Sequence, residues 1–472
     1  MIELGFEPDF SHGVEQQLAA FTSAPSKKAS TEIADLRALL WSSIDNDDSR
    51  DLDQVEFAER LPDGGIRLFV AIADVDSKVL VGSAVDDHAK ANTTSVYTGI
   101  ATFPMLPEIL STDLTSLNEG KERLAIVTEM VVSIDGEIHF VGIKQALVVN
   151  QARLTYEEVG DWLEHRAERP FCCQRVQGLE RQLELQFEAA NRLAKFRKAA
   201  GALTFSTIEP KIIKRDGKIV DLAIARHNAA RDIIESFMLA TNISLANFLK
   251  QRNSPFIERV VREPKRWDRI CEIAAGFGAT LPTLPNPKAL SEFLSARQAA
   301  DPLHYPDLSL TIVKLLGPGE YALEKAGENE QGHFGLAVND YTHSTAPNRR
   351  FADLVIQRLV KALLVSAPAP YGESDLGQIA DHCTERENAA RKVERQMRKI
   401  IAASSLAQRI GERFEGVITG SNEKGVYVRL LTWPAEGRVT RGEQGVDVGD
   451  KVQVKLIRVD IDKGFIDFER IS

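Results

Sequence analysis

Cysteine is scarce in this chain: four residues, Cys172, Cys173, Cys271 and Cys383, with no Cys-x-x-Cys pair among them. No disulfide framework can be read from such a set, and free thiols in a reducing cytoplasm are the expectation. Long apolar runs are also missing. None approaches the length of a membrane span, so no membrane partner is expected. The start, Met1 to Asp9, has no basic region and does not read as a signal peptide. Positive charge is not in excess either, since the formal net charge is −10. That argues against a protein coating nucleic acid with its whole surface, while a basic interior channel stays open because net charge says nothing of local distribution. What is there is ordinary for a globular protein, 43% hydrophobic and 27% charged. A chain of 472 residues calls for two or more domains.

The most informative segment is Ile44-Asp-Asn-Asp-Asp-Ser-Arg-Asp-Leu-Asp-Gln54, with five aspartates in eleven positions. Aspartates disfavour strand and helix interiors, so the segment reads as a loop. A bound cation best relieves their repulsion, and hard oxygens select Mg²⁺, Mn²⁺ or Ca²⁺. Asp45, Asp51 and Asp53 are the first candidates for a metal-dependent site. An EF-hand is the calcium alternative, but Arg50 stands where that loop needs glycine, and Leu68-Phe-Val-Ala-Ile-Ala reads as a strand rather than an exiting helix. A solvated acidic turn is the plain alternative.

Three segments divide the chain. Residues 1–35 hold a short helical pattern (Val14 to Phe21) and a Ser/Ala/Lys linker from Ser23 to Thr31. Residues 36–410 mix strand-like runs (Ile66 to Val75, Ala125 to Ser133, Ile212 to Asp221) with helical periodicity over Glu180 to Ala200, Ala229 to Gln251, Phe351 to Val365 and Leu376 to Arg413. That mixture predicts an α+β domain with helices packed on a sheet core. Residues 411–472 change to short strands separated by glycine turns, as in Phe414-Glu-Gly-Val and Lys424-Gly-Val-Tyr-Val-Arg-Leu, which predicts a small all-β OB-fold barrel. Basic clusters at 192–198, 211–215 and 391–399 read either as solvated faces or as phosphate tracks.

Tyr341-Thr-His-Ser-Thr-Ala-Pro-Asn-Arg-Arg-Phe-Ala-Asp-Leu resembles the Tyr-x-His-Phe-Thr-Ser-Pro-Ile-Arg-Arg-Tyr-x-Asp-Leu block of the ribonuclease II family. The acidic loop resembles that family's Asp-x5-Asp-Ile-Asp-Asp motif. Val70-Ala-Ile-Ala-Asp-Val, Phe103-Pro-Met-Leu-Pro, Gly201-Ala-Leu-Thr-Phe, Ile234-Glu-Ser-Phe-Met and His333-Phe-Gly-Leu follow in the family's order. The C-terminal segment looks like the family's S1-type barrel.

The resemblance implies an RNB-type catalytic domain acting as a Mg²⁺-dependent, possible also with Mn²⁺, processive 3′→5′ exoribonuclease. Such an enzyme degrades single-stranded RNA to nucleoside 5′-monophosphates, here as a cytoplasmic monomer. By resemblance Asp45 and Asp51 build the metal site, Asp53 serves the chemical step, and Arg349 stabilises the transition state. Arg350 supports a nearby phosphate or carboxylate. Tyr97 and Phe205 resemble the pair that clamps the terminal bases, Tyr156 the residue at the ribose, and Glu235 the acid that reads 2′-hydroxyls. Lys424, Tyr427 and Arg429 are the candidates for the barrel's RNA face, with Tyr427 equally readable as barrel core. His333 and His343 read as structural. Two departures stand out. Many relatives carry cold-shock barrels first, and residues 1–35 leave no room for one, which predicts a wider or less selective entry. Gln54 replaces the fourth acid, so it brings a carbonyl oxygen to a metal but no charge. Asp47 or Asp48 could compensate; otherwise the alternative is a catalytically attenuated RNA-binding protein on the same fold.

Overall fold

Ile66–Ala73 is apolar on both faces: Ile66, Leu68, Val70 and Ile72 enter one core, Phe69, Ala71 and Ala73 another. A strand of that kind belongs at the centre of a sheet covered on both sides. The computed structural model of the chain describes residues 1–471 apart from 22–32, 207–208, 216–217, 303, 326–331, 423–424, 447 and 449. The Ser23 to Thr31 linker and Lys424 therefore lie outside the described residues.

The first elements are α1 (His12–Phe21), β1 (Ala34–Asp35), β2 (Trp41–Asp45), β3 (Gln54–Arg60), β4 (Ile66–Ala73), α2 (Ala84–Asn92), β5 (Val96–Tyr97), β6 (Thr102–Phe103), β7 (Glu122–Val132) and β8 (Ile138–Thr155). The helical middle follows with α3 (Tyr156–Leu163), the one-turn α4 (Cys172–Arg175) and α5 (Leu179–Ala200), the hairpin β9 (Glu209–Arg215) and β10 (Lys218–Ala225), and then α6 (Ala229–Gln251), β11 (Phe256–Val260), α7 (Trp267–Gly276), α8 (Pro287–Ala300), α9 (Tyr305–Leu316) and β12 (Glu320–Glu324). Helices α10 (Phe351–Leu364) and α11 (Glu373–Leu406) lead into β13 (Arg413–Asn422), β14 (Gly425–Leu430), β15 (Glu436–Arg441), β16 (Lys451–Asp460) and β17 (Phe465–Arg470). The run Ile212 to Asp221, read as one strand, is split between two antiparallel strands. The last long helix stops at Leu406, seven residues before Arg413, and the chain passes through a 3-10 turn (Ala407–Arg409) and Gly411, at φ 95°, into the barrel.

The large sheet has the order β1-β8-β2-β3-β4-β7, and β7 also pairs with the first part of the long β8. Helices α5 and α6 cover one face with Leu183, Ala190, Ile233 and Phe237, while α10 and the first half of α11 cover the other with Phe351, Val355, Leu376 and Ile379. Helix α11 then carries Ile401, Ala402 and Leu406 into the core of a closed barrel, β13-β14-β15-β17-β16. One helix is thus built into both cores.

Within the barrel Val426, Val428 and Leu430 point inward, so Tyr427 and Arg429 stand outside it, half-buried. Arg429, read as an RNA contact, instead makes a forked pair with Asp307 of α9, at 2.9 and 2.8 Å from Nη2, with both side chains largely shielded. The structure uses this guanidinium to dock the barrel. Arg429→Ala is expected to lower the unfolding free energy by about 2 kcal/mol and to expose the α11–barrel junction to protease. A double-mutant cycle with Asp307→Ala measures it, and additive effects would show that the pair contributes nothing.

Candidate active site

The acidic loop begins at the end of β2 and returns into β3, so its two ends are fixed by neighbouring strands. Its backbone is held from outside. Arg153 Nη2 donates to the carbonyls of Asp47 (3.1 Å) and Ser49 (2.6 Å), and Leu52 N donates to Ser116 Oγ (3.0 Å). Leu52 is buried beneath the loop as an apolar anchor. Such restraint is what a cluster of repelling carboxylates requires.

Asp45, Asn46, Ser49, Asp51, Asp53 and Gln54 line a cavity of about 390 Å³ together with Tyr97, Tyr156, Arg231, Ile234, Met238, Thr345 and Arg349. Asp45 Oδ1 accepts from Asn46 N and Ser49 Oγ, each at 2.7 Å. Asp51 faces the Tyr97 hydroxyl, which donates to its Oδ2 at 3.4 Å. Asp53 is 3% exposed. Its Oδ1 accepts from Asn348 N (3.2 Å) and Asn348 Nδ2 (2.9 Å), and Arg349 Nε lies 3.7 Å from its Oδ2. Burial pushes the Asp53 carboxyl up to about 7; Arg349 opposes this, Asp51 adds to it, and the Asn348 donors oppose it. Asp51 is raised by burial as well, with the charge of Asp45 adding. Gln54, 8% exposed, completes this wall.

Across the cavity, Tyr156 opens α3 and Arg231 sits in the first turn of α6. Asn228 joins the two helices: its Nδ2 donates to the Tyr156 carbonyl at 2.8 Å, and its Oδ1 caps α6 at Arg231 N. Gly160 permits this approach, because a Cβ there would stand 2.3 Å from Asn228 Nδ2. The Arg231 guanidinium lies 4.4 Å over the Tyr156 ring and reaches Asn46 Oδ1 at 3.1 Å. Tyr97, 42% exposed, stands where this cavity meets a second of about 410 Å³, lined also by Asp48, Ile100, Thr102 and Glu108. The two share Asn46, Ser49, Asp51 and Tyr97 in their walls.

The structure brings together Asp45, Asp51, Asp53, Gln54, Tyr97, Tyr156 and Arg349. Phe205, by contrast, packs with Leu203 on the cluster formed by Trp267, Phe293 and Tyr305. Arg350, the extended N-cap residue of α10, is half-buried and turned to Asp353 at 2.7 Å, and it does not line the cavity. It supports a carboxylate rather than RNA. Glu235 is exposed and gathered with His227 and Asp232, their ligand atoms within 4.8 Å of one another; the acids of the cavity are spread more widely around its wall. Asp47 is exposed and Asp48 faces the second cavity. His343 is half-buried with Tyr321 Oη 2.9 Å from its Nδ1, and desolvation holds its pKa far down; His333 caps Leu336 N.

Sequence reasoning missed Arg231 and Asn348. Arg231 lies three residues before the quoted Ile234-Glu-Ser-Phe-Met, and Asn348 stands where the family block has isoleucine, which was the available signal. The donor set, three carboxylates and an amide carbonyl on one wall with two carboxyls pushed up by burial and mutual charge, fits a hard divalent cation.

The RNB domain family matches residues 33–366, and the RNase II-type exonuclease C-terminal S1 domain matches 412–471. Ribonuclease R of Escherichia coli (strain K12) is 31% identical over 496 residues, covering 97% of this chain and 60% of its own length. Ribonuclease R of Thermotoga maritima is 29% identical, covering 98% of this chain and 68% of its own. The chain thus spans 60% of the first curated relative. Among solved structures, Mycoplasma genitalium RNase R in complex with ribose methylated single-stranded RNA superposes with a TM-score of 0.89 at 24% identity, covering 100% of this chain and 77% of that one. Yeast Ssd1, described as a pseudonuclease, superposes at 0.69 and 16% identity, covering 90% of this chain and 53% of that one. The fold by itself therefore does not decide catalysis.

Proposed function

Because the chain belongs to the RNB-domain family, we propose that it is a divalent-metal-dependent 3′→5′ exoribonuclease, processive on single-stranded RNA and releasing nucleoside 5′-monophosphates. The observation that carries this reading is the buried Asp53, held by Asn348 and facing Arg349, on one cavity wall with Asp45 and Asp51. Asp45, Asp51 and Asp53, with the Gln54 carbonyl, would hold Mg²⁺ or Mn²⁺, which when bound supplies an activated water and neutralises non-bridging phosphate oxygens.

The chain's own residues do the rest. Water adds to phosphorus and the P–O3′ bond breaks, so the terminal residue leaves with its 5′-phosphate. Asn348 keeps one Asp53 oxygen engaged and thereby orients the other toward the reacting phosphate. Arg349, partly exposed on the cavity wall, meets charge that grows on the equatorial oxygens. Tyr97 offers a ring on which any base stacks, as a reaction indifferent to sequence needs. Tyr156 and Arg231 form a rigid ribose and phosphate rest, and Glu235 stays the candidate for reading 2′-hydroxyls from the cavity's outer side. Tyr427, on the outside of the barrel, remains a candidate for its RNA face, as does Lys424 by sequence. No helix among the described residues is long and apolar enough to cross a membrane. A cytoplasmic location is our reading, in keeping with the free cysteines, and a monomer is proposed with it.

Gln54 favours a second reading, an RNA-binding protein with a weakened site. A time course on a 5′-labelled, unstructured RNA of about thirty nucleotides, with Mg²⁺ or EDTA, separates the two. Short end products without a ladder, abolished by EDTA, are expected. Full-length RNA that persists but shifts on a gel would overturn the enzyme.

A further inference from the structure

Tyr97 stands in the walls of two cavities, and the second takes no part in the hydrolysis. At about 410 Å³ that cavity has the size of a small-molecule site, which begins at about 300 Å³. It is built from the far side of the acidic loop, with Asp48 and Arg50, and from the β5–β6 hairpin and residues 108–112. The hairpin sets Tyr97 opposite Thr102, and Thr98 Oγ1 closes its turn by donating to the Ala101 carbonyl at 2.6 Å. The Tyr97 hydroxyl reaches Asp51 at 3.4 Å, a long hydrogen bond that yields easily. On the outer rim Ile100, Arg50 and Glu108 are exposed, so the cavity meets solvent. Arg50 is the one cation that lines it among the described residues. Its Nη1 lies 3.5 Å from Glu108 Oε2, a hydrated pair of little strength, so the guanidinium can turn to another anion.

RNA held by Tyr156, Arg231 and Glu235 enters from the α3–α6 side, and its last base reaches Tyr97. Hydrolysis then leaves a nucleoside 5′-monophosphate at Tyr97 while the shortened chain still fills the entry, because a processive enzyme does not let go between steps. The product cannot retreat past that RNA. We propose that the second cavity is the exit and transient holding site for the released nucleoside 5′-monophosphate. The base slides along the Tyr97 ring, which both cavities share, and the phosphate moves to Arg50. Asp48 and Glu108 oppose the phosphate there, so the hold is loose. A site that must empty at every turnover needs a loose hold. The proposal rests on the processive exoribonuclease reading and on Tyr97 as the rest of the terminal base.

The test uses the full chain with Mg²⁺ and measures two rates on unstructured RNA, excision of the first nucleotide by rapid quench and sustained nucleotide release. Ala101→Trp places an indole in the second cavity from the hairpin turn, where Ala101 makes its hydrogen bonds through the backbone. Sustained release is expected to slow on the order of tenfold, while the first excision changes by less than about twofold. Adenosine 5′-monophosphate is the probe of the holding site. Its inhibition of the native protein should persist at high RNA concentration, and Arg50→Ala should raise the concentration for half-inhibition about tenfold. Equal slowing of first and sustained steps, or no slowing, would overturn the exit. So would inhibition that RNA relieves completely, since product and substrate would then share one entrance. If Ala101→Trp does not fold, Arg50→Ala decides, and an unchanged half-inhibition overturns the holding site. Native protein that leaves RNA intact would overturn the exoribonuclease reading itself, and a ladder of intermediates would overturn the occupied entry from which the exit follows.

Discussion

Asp53→Asn is expected to abolish nucleotide release from single-stranded RNA, with a rate loss on the order of 10³-fold or more, while RNA still shifts on a gel. The substitution keeps volume and the contact to Asn348 but removes the charge that the cavity wall is built to hold. A second readout distinguishes this from a folding defect. The buried Asp53 carboxyl is raised to about 7 against an ordinary value of 3.8. A carboxyl raised in the folded state retains its proton there after the unfolded chain has lost it. Stability from this group is therefore present below the ordinary value and lost as pH rises toward 7. In EDTA, Asp53→Asn is expected to have a higher unfolding free energy than the native protein at pH 8, by an amount on the order of a few kcal/mol, and an equal one near pH 4. An inactive variant of unchanged or lower stability at pH 8 would show that Asp53 is not held against its own charge. Such a trade of stability for function is common at sites that concentrate charge.

Arg349→Ala is expected to lower turnover by about 10²- to 10³-fold with little change in KM for RNA. Its guanidinium is one of several groups that meet phosphate, so ground-state binding survives its loss, while charge growing on the equatorial oxygens is left unmet. Lysine keeps the charge but not the planar fork, and Arg349→Lys should recover about a tenth of the native rate. Arg349 also opposes the rise of Asp53. Its removal should move the acid limb of the rate profile to higher pH, a shift that a residue serving only to grip RNA would not cause. Equal losses in kcat/KM and in RNA affinity would reduce Arg349 to a binding contact.

Much of this molecule is local chemistry and can be read in one dimension. Helix α6 keeps an apolar stripe from Ala229 to Gln251 and caps itself with Asn228. The alternation of Val426, Val428 and Leu430 makes a barrel strand wherever it occurs. A segment carrying five aspartates reads as a loop, and three of them, Asp45, Asp51 and Asp53, line the cavity. Partnership is another matter, because a side chain's role depends on what the fold sets opposite it. Arg349 and Arg350 are adjacent and chemically alike, yet one faces the cavity and the other is turned to Asp353. Arg429 looked like a hand for RNA until α9 placed Asp307 before it. Phe205 went to an apolar cluster that residues 267 to 316 create far along the chain. Asn348 reaches Asp53 across 295 positions. Periodicity, capping and loop composition were determined by the sequence, since each depends on neighbours a few residues away. Which charge meets which was decided by the tertiary structure alone, because electrostatic and hydrogen-bond energies act between groups only once packing has fixed their distance and removed the water between them.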